Sequence, residues 1–130
     1  MREIKFRGKT KEGEWVYGDL ETRRLDGRCF IHTYTEDRLY YTQFEILPDT
    51  IGQYTGLMDA NGKEIYEGDI VRYRLTDERY KKNPRYSNLP IHYDESQAKF
   101  EAGNIYWDTL RSNKVEVIGN VHDDPELIEK

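Results

Sequence analysis

Gln53-Tyr54-Thr55-Gly56-Leu57-Met58-Asp59-Ala60-Asn61-Gly62-Lys63-Glu64-Ile65-Tyr66-Glu67-Gly68-Asp69-Ile70-Val71-Arg72-Tyr73 carries the densest turn chemistry in the chain. Asn61-Gly62 is a two-residue hairpin signal, because both residue types tolerate positive φ. Glu67-Gly68-Asp69 marks a second tight turn. The spacing leaves a very short strand at Ile65-Tyr66 and a longer one from Ile70 to Tyr73. Leu57, Ile65, Ile70 and Val71 are the apolar residues that such a double turn folds together. Gly62 and Gly68 are expected at positive φ, Ile65, Ile70 and Val71 in the interior, and Lys63, Glu67 and Arg72 in solvent. Asn61, Gly62, Gly68 and Asp69 are therefore read as structural turn residues.

Upstream, Ile4-Lys5-Phe6-Arg7 alternates apolar and basic residues, the pattern of a half-buried strand. Gly8–Gly13 is a polar turn, and Glu14–Leu20 is the expected hairpin partner. Asp26-Gly27 is another turn, leading into Cys29–Tyr34, and a fourth strand is expected over Tyr40–Leu47. Residues 1–47 thus read as an antiparallel meander. Pro48 breaks the pattern, since it cannot donate to a ladder, and residues 48–130 read as a second, barrel-like half across a soft boundary, with one continuous domain as the alternative. Within it, residues 75–93 form a charged, proline-containing stretch expected to be a loop that is mobile or ordered by a partner. Strands are expected over Gln97–Phe100, Gly103–Trp107 and Val115–Val121. Asp124-Pro125-Glu126 starts a short C-terminal helix, with Asp as cap and proline at the first helical position. The fold class is mainly β, either small antiparallel sheets or a partly open, SH3-like pseudobarrel.

Three further blocks accompany the organising stretch: Met1-Arg2-Glu3-Ile4-Lys5-Phe6-Arg7-Gly8, Glu14-Trp15-Val16-Tyr17-Gly18, and Val115–Val121 followed by Pro125-Glu126-Leu127. Together with Gln53–Leu57, Asp59-x-Asn61-Gly62-Lys63 and Ile65–Val71, they resemble the signature of the YopX family of phage and prophage proteins. The blocks run in order over nearly the whole chain. Residues 21–45 and 74–100 match nothing in the family pattern. The resemblance implies a phage or prophage origin and a mainly β fold. It implies no activity and carries over no catalytic residue.

Composition narrows the classes. Of 130 residues, 36% are hydrophobic and 35% charged, a polar balance, yet 13% are aromatic, with 11 tyrosines. Disordered chains are poor in aromatics, so a folded domain with a thin core follows, in which tyrosine rings supply much of the burial. A core this lean is expected to gain stability from subunit contacts, hence a homo-oligomer. The formal net charge of −5 opposes non-specific binding to nucleic acid or anionic membrane. One cysteine, Cys29, permits no internal disulfide and suits a reducing compartment. No apolar run approaches a bilayer span and no signal-peptide core is present. The expected setting is the cytoplasm, for a phage gene that of the bacterial host.

No constellation carries chemistry. Asp59, Asn61, Glu64, Glu67 and Asp69 suggest a calcium loop, but placing Gly62 at its sixth position puts Leu57 first and Gly68 twelfth, where carboxylates are needed. Cys29 and His32 lie at an odd offset on a strand, so they face opposite sides, and zinc would need further ligands. The expected reading is a buried thiol and a surface imidazole. His122-Asp123 sits in a turn, away from any helical metal site. There is no phosphate cradle and no serine elbow. A hydrolase or transferase would need a deep pocket joining His32, His92 or His122 to two acids. No cofactor or metal is expected, and the protein reads as non-enzymatic. The alternative is a nucleic-acid surface made of Arg2, Lys5, Arg7, Trp15 and Tyr17, with Lys9 and Lys11, since basic residues beside aromatics on a small sheet suit single strands. Glu3, Glu12 and Glu14 dilute that stripe. A solvated strand face, protected by lysine from edge pairing, is the favoured reading.

Overall fold

The computed structural model describes residues 3–75, 85–102 and 115–128. It divides into two compact units, Met1–Tyr54 and Thr55–Lys130.

In the first unit, β1 (Phe6–Lys9), β2 (Trp15–Thr22), β3 (Cys29–Tyr34) and β4 (Tyr41–Ile46) form the expected antiparallel meander. A 3-10 turn over Pro48–Thr50 then carries the chain to β5 (Gly52–Met58), which returns beside β1 with Phe6 opposite Gln53. The strand order is therefore β4-β3-β2-β1-β5. Alternation puts Cys29, Ile31, Ile46 and Val16 into one small core, against which Phe6, Leu20, Phe44 and Ile51 pack. Gly8 lies directly beneath Ile46, where a Cβ would collide with the isoleucine side chain. Thr50 ties the turn to β1: its hydroxyl accepts from the Lys9 N–H at 2.8 Å, and the Leu47 N–H donates to the Lys9 carbonyl at 2.8 Å.

The second unit begins within β5. Its strands are β6 (Glu64–Tyr66), β7 (Asp69–Leu75), β8 (Arg85–Pro90), β9 (His92–Asp94), β10 (Lys99–Glu101) and β11 (Val115–Asn120). They form a three-stranded sheet, β11-β7-β8, and a β9–β10 hairpin, while β6 pairs with β5. Ile65, Val71, Ile91, Phe100, Ala102, Val115 and Val117 make the core, with Leu57, Tyr73 and Leu89 against it. The fold is mainly β, built of small antiparallel sheets. No closed barrel forms among the described residues.

Several expectations are corrected. The stretch 75–93 is not a loop from residue 85 onward: β8 pairs with β7 from Ile70↔Pro90 to Leu75↔Arg85. Its apolar anchors are few, Leu89 and Ile91, and Pro90 stands between them. Residues 76–84 lie outside the described residues, as does the strand expected at Gly103–Trp107. The C-terminal helix is a single 3-10 turn, Pro125–Leu127, in which Asp124 makes no side-chain cap. Its carboxylate instead accepts from the Asn120 N–H at 3.2 Å, closing the end of β11. The loop at Asn61-Gly62 has three residues rather than two. The Asp59 N–H bonds the Lys63 carbonyl at 2.8 Å, and the Gly62 N–H bonds the Asp59 carbonyl at 3.0 Å. Only Gly62 takes positive φ there, at 79°, the glycine position of a three-residue hairpin loop. Gly68, at φ 93°, and the buried Ile65, Ile70 and Val71 stand as expected, and Lys63 and Arg72 are exposed. Glu67 is half-buried rather than exposed.

Candidate functional site

The outer face of β2-β3-β4 and the free side of β4 gather the most exposed aromatic surface of the first unit. Strand β3 alternates: Cys29 and Ile31 point to the core, Phe30, His32 and Tyr34 to the other side. Cys29 and His32 are thus separated by the sheet. Phe30 is outward yet only 4% exposed. Two guanidiniums cover its ring, Arg23 at 4.0 Å and Arg28 at 5.1 Å. Each is held in place by a carboxylate: Arg23 Nε donates to Glu21 at 2.9 Å, and Arg28 donates to both oxygens of Glu45, at 3.2 and 2.8 Å. Cation–π contact and a fixed ion pair together thus cover an aromatic ring that the sheet leaves outside.

The hydrogen bond from Arg23 holds the Glu21 carboxyl below the usual carboxylate range; partial burial opposes this and His32 adds to it. The bond from Arg28 does the same for Glu45. The His32 Nε2 lies 2.8 Å from Glu21, and the imidazole stacks on Tyr41 at 4.7 Å. Tyr41 in turn meets Tyr34 at 5.4 Å, and Tyr34 carries the Arg38 guanidinium at 4.4 Å. Arg38, at φ 58° in the β3–β4 turn, also lies 3.7 Å from Asp19. Beside this cluster is a groove of about 410 Å³ lined by Glu3, Lys5, Tyr17, Asp19, Tyr34 and Arg38, among others. Beyond it, Leu39 is 74% and Tyr40 71% exposed.

The basic stripe is arranged differently from the expected nucleic-acid face. Arg7 is 5% exposed and lies 4.7 Å from the Trp15 ring. Lys9 approaches the same ring at 5.8 Å. Lys5 lies over Tyr54 at 5.6 Å and pairs with Glu3 at 3.4 Å. Tyr17 is exposed. Arg2 lies outside the described residues. Lys5, Arg7 and Lys9 pack on the molecule's own rings, while Lys11 is exposed, and for those three the sequence pattern of basic beside aromatic records that packing.

In the second unit the turn residues converge on backbone. Asp59 is 3% exposed. Its Oδ1 accepts from the N–H of Asn61 and of Lys63, each at 2.9 Å, and its Oδ2 accepts from the N–H of Val117 at 2.9 Å. Burial raises the Asp59 pKa, but the bonds from Val117, Lys63 and Asn61 outweigh it, and the carboxyl titrates below the usual range. Asp69 Oδ2 accepts from the Tyr66 N–H at 2.7 Å. Two of the four carboxylates of the would-be calcium cluster, Asp59 and Asp69, are thus turned onto main-chain donors. Among the described residues no group of three or more His, Cys, Asp or Glu is placed to hold a metal. His92 meets one carboxylate, Glu101, at 2.8 Å. The role of Asp59 was not legible: the sequence offers only an Asp-x-Asn-Gly turn, and its third partner lies 58 residues away.

The family model described as YopX protein matches residues 5–129. The chain belongs to the YopX family. A solved structure, that of protein EF1440 from Enterococcus faecalis, is similar over 99% of this chain and 100% of the other, at 26% identity and a TM-score of 0.61. A search of curated proteins found no match. Among the described residues of this YopX-family chain, no helix is long and apolar enough to cross a membrane.

Proposed function

We propose that this YopX-family chain is a non-enzymatic accessory protein of a phage or prophage, acting in the host cytoplasm through protein–protein contacts and as a homo-oligomer. The observation that carries the reading is the exposed aromatic surface on the free side of the first unit, where Leu39, Tyr40 and Tyr41 stand in solvent at the start of β4. Aromatic residues on an otherwise polar surface are the residues that protein interfaces enrich. The fixed ion pairs over Phe30 support the same reading, because a rigid face loses little freedom on docking.

Affinity capture from infected or induced host cells, read by mass spectrometry, tests it. The wild-type chain is expected to retain a defined phage or host protein, and Tyr40→Ala with Leu39→Asp is expected to lose most of it. Retention of nucleic acid alone would contradict the reading.

The nucleic-acid alternative is weakened by the burial of Arg7 and the pairing of Lys5 with Glu3. A mobility shift at low salt checks it, since phosphate contacts are strongest there. No retention of single-stranded DNA or RNA is expected at about 50 mM salt. A shift that fades as salt rises would reinstate the alternative.

A further inference from the structure

Strand β4 ends its sheet: β3 pairs with one side, and among the described residues no strand pairs with the other. Such an edge presents unpaired N–H and C=O groups, and soluble proteins usually guard it with proline, lysine, a bulge or an inward charge. Tyr41-Thr42-Gln43-Phe44-Glu45-Ile46 carries no proline, no glycine and no lysine. Its pairing with β3 is unbroken from Cys29↔Ile46 to Tyr34↔Tyr41. Its one charge, Glu45, is already neutralised by Arg28 at 2.8 Å. Tyr41, Thr42 and Gln43 are exposed.

From this edge we infer that β4 pairs antiparallel with β4 of a second copy of the chain, joining two sheets across a two-fold axis. The inference rests on the homo-oligomer reading above and names its interface. Charge sets the direction. The turn before β4, Thr35–Tyr40, contains Glu36, Asp37 and Arg38, a formal −1. The turn at the opposite end of β3, Arg23–Arg28, holds three arginines and one aspartate, and Glu21 and Glu45 pair with Arg23 and Arg28, so that end is formally neutral. Antiparallel pairing keeps the acidic turns of the two copies at opposite ends of the joined sheet, whereas parallel pairing would set them side by side. A two-fold contact also closes on itself, whereas an open edge contact would propagate.

Main-chain direction sets the register. The Thr35 N–H donates to the Tyr40 carbonyl and Tyr34 lies opposite Tyr41, so Tyr41, Gln43 and Glu45 turn their N–H and C=O groups to the open edge. With Gln43 opposite its own counterpart, Tyr41 faces Glu45 of the second copy.

Light scattering and crosslinking on the full chain test this. Wild type at micromolar concentration is expected at twice the 15.6 kDa chain mass. Thr42→Lys, which restores the missing lysine guard at an exposed position, is expected to give a monomer with an unchanged circular dichroism spectrum and a melting temperature that no longer rises with protein concentration. In Gln43→Cys the opposed Cα atoms would lie about 4.5–5.5 Å apart, within disulfide reach. Its oxidative crosslinking should exceed that of Lys63→Cys, a control in the other unit, by at least about tenfold, because a formed dimer raises the local thiol concentration. Cys29 is buried and serves as background in both. A dimer that survives Thr42→Lys, or Gln43→Cys crosslinking no faster than the control, would overturn the β4 interface and leave the homo-oligomer reading standing. A monomeric wild type would overturn both.

Discussion

Replacing Asp59 by alanine is expected to destabilise the second unit by about 3–5 kcal/mol. The carboxylate accepts three main-chain N–H groups, from Asn61, Lys63 and Val117, and is itself buried. Each is a charge-assisted bond, and each donor left unsatisfied costs about 1–3 kcal/mol. The bonds do different jobs. Two close the Asp59–Lys63 turn, while the third fastens that turn to β11. The neighbouring Ala60 N–H reinforces it, donating to the Val115 carbonyl at 3.0 Å. Urea denaturation followed by circular dichroism measures the loss. A change within about 0.5 kcal/mol, the range of ordinary surface substitutions, would mean that the turn closes without its carboxylate.

The same site fixes a pH dependence. The Asp59 pKa is lowered in the folded chain, so its contribution is complete above the unfolded value of about 3.9 and is lost as pH falls through the folded value. The stability difference between wild type and Asp59→Asn should therefore be constant near neutrality and shrink on acidification below about pH 4. A gap that stays constant down through that range would contradict the assignment.

Gly68→Val is expected to cost on the order of 1–3 kcal/mol, the scale for holding a β-branched residue in a strained backbone region. Gly68 has φ 93°. Its N–H donates to the Ile91 carbonyl and its carbonyl accepts from the Val121 N–H, both at 2.8 Å. Ile91 returns a bond to the Asp69 carbonyl at 2.8 Å. The chain cannot relax φ there without releasing contacts to the ends of β8 and β11. A valine also has its χ1 restricted by its own branching. Against a typical domain stability of about 5–15 kcal/mol the loss is large, and the melting temperature should fall. If Gly68→Val melts like wild type yet no longer binds a captured partner, the stretch is a recognition loop.

Local rules recovered much of this fold. The N-terminal meander was legible because its turns are glycine-marked and its strands alternate. The double turn was legible because Gly62 and Gly68 occupy positions that favour glycine. Long-range pairing was not. Strands β8 and β9 were hidden among charges and prolines, because their partners are β7 and β10 and their own apolar anchors are few. Strand β3, whose sequence does not mark it as central, is internal, flanked by β2 and β4. Edge position depends on the whole sheet order. At the candidate site, the basic stripe was visible as residue types, but the burial of Arg7 against Trp15 depends on which strands flank β1. Phe30 under two arginines was likewise unreadable, since its cover comes from Arg23 and Arg28 on either side of a turn. Asp59 was seen as a turn former and missed as the link between that turn and β11.

Site-resolved amide hydrogen exchange on wild type and Asp59→Asn tests most directly whether the Gln53–Tyr73 stretch is the scaffold of the second unit. Protection of Ile65, Ile70, Val71 and Val117 should fall together in the variant, by the same free energy as its loss in global stability, because these residues open as one unit. Faster exchange confined to Asn61, Lys63 and Val117, with Ile65, Ile70 and Val71 protected as in wild type, would contradict it.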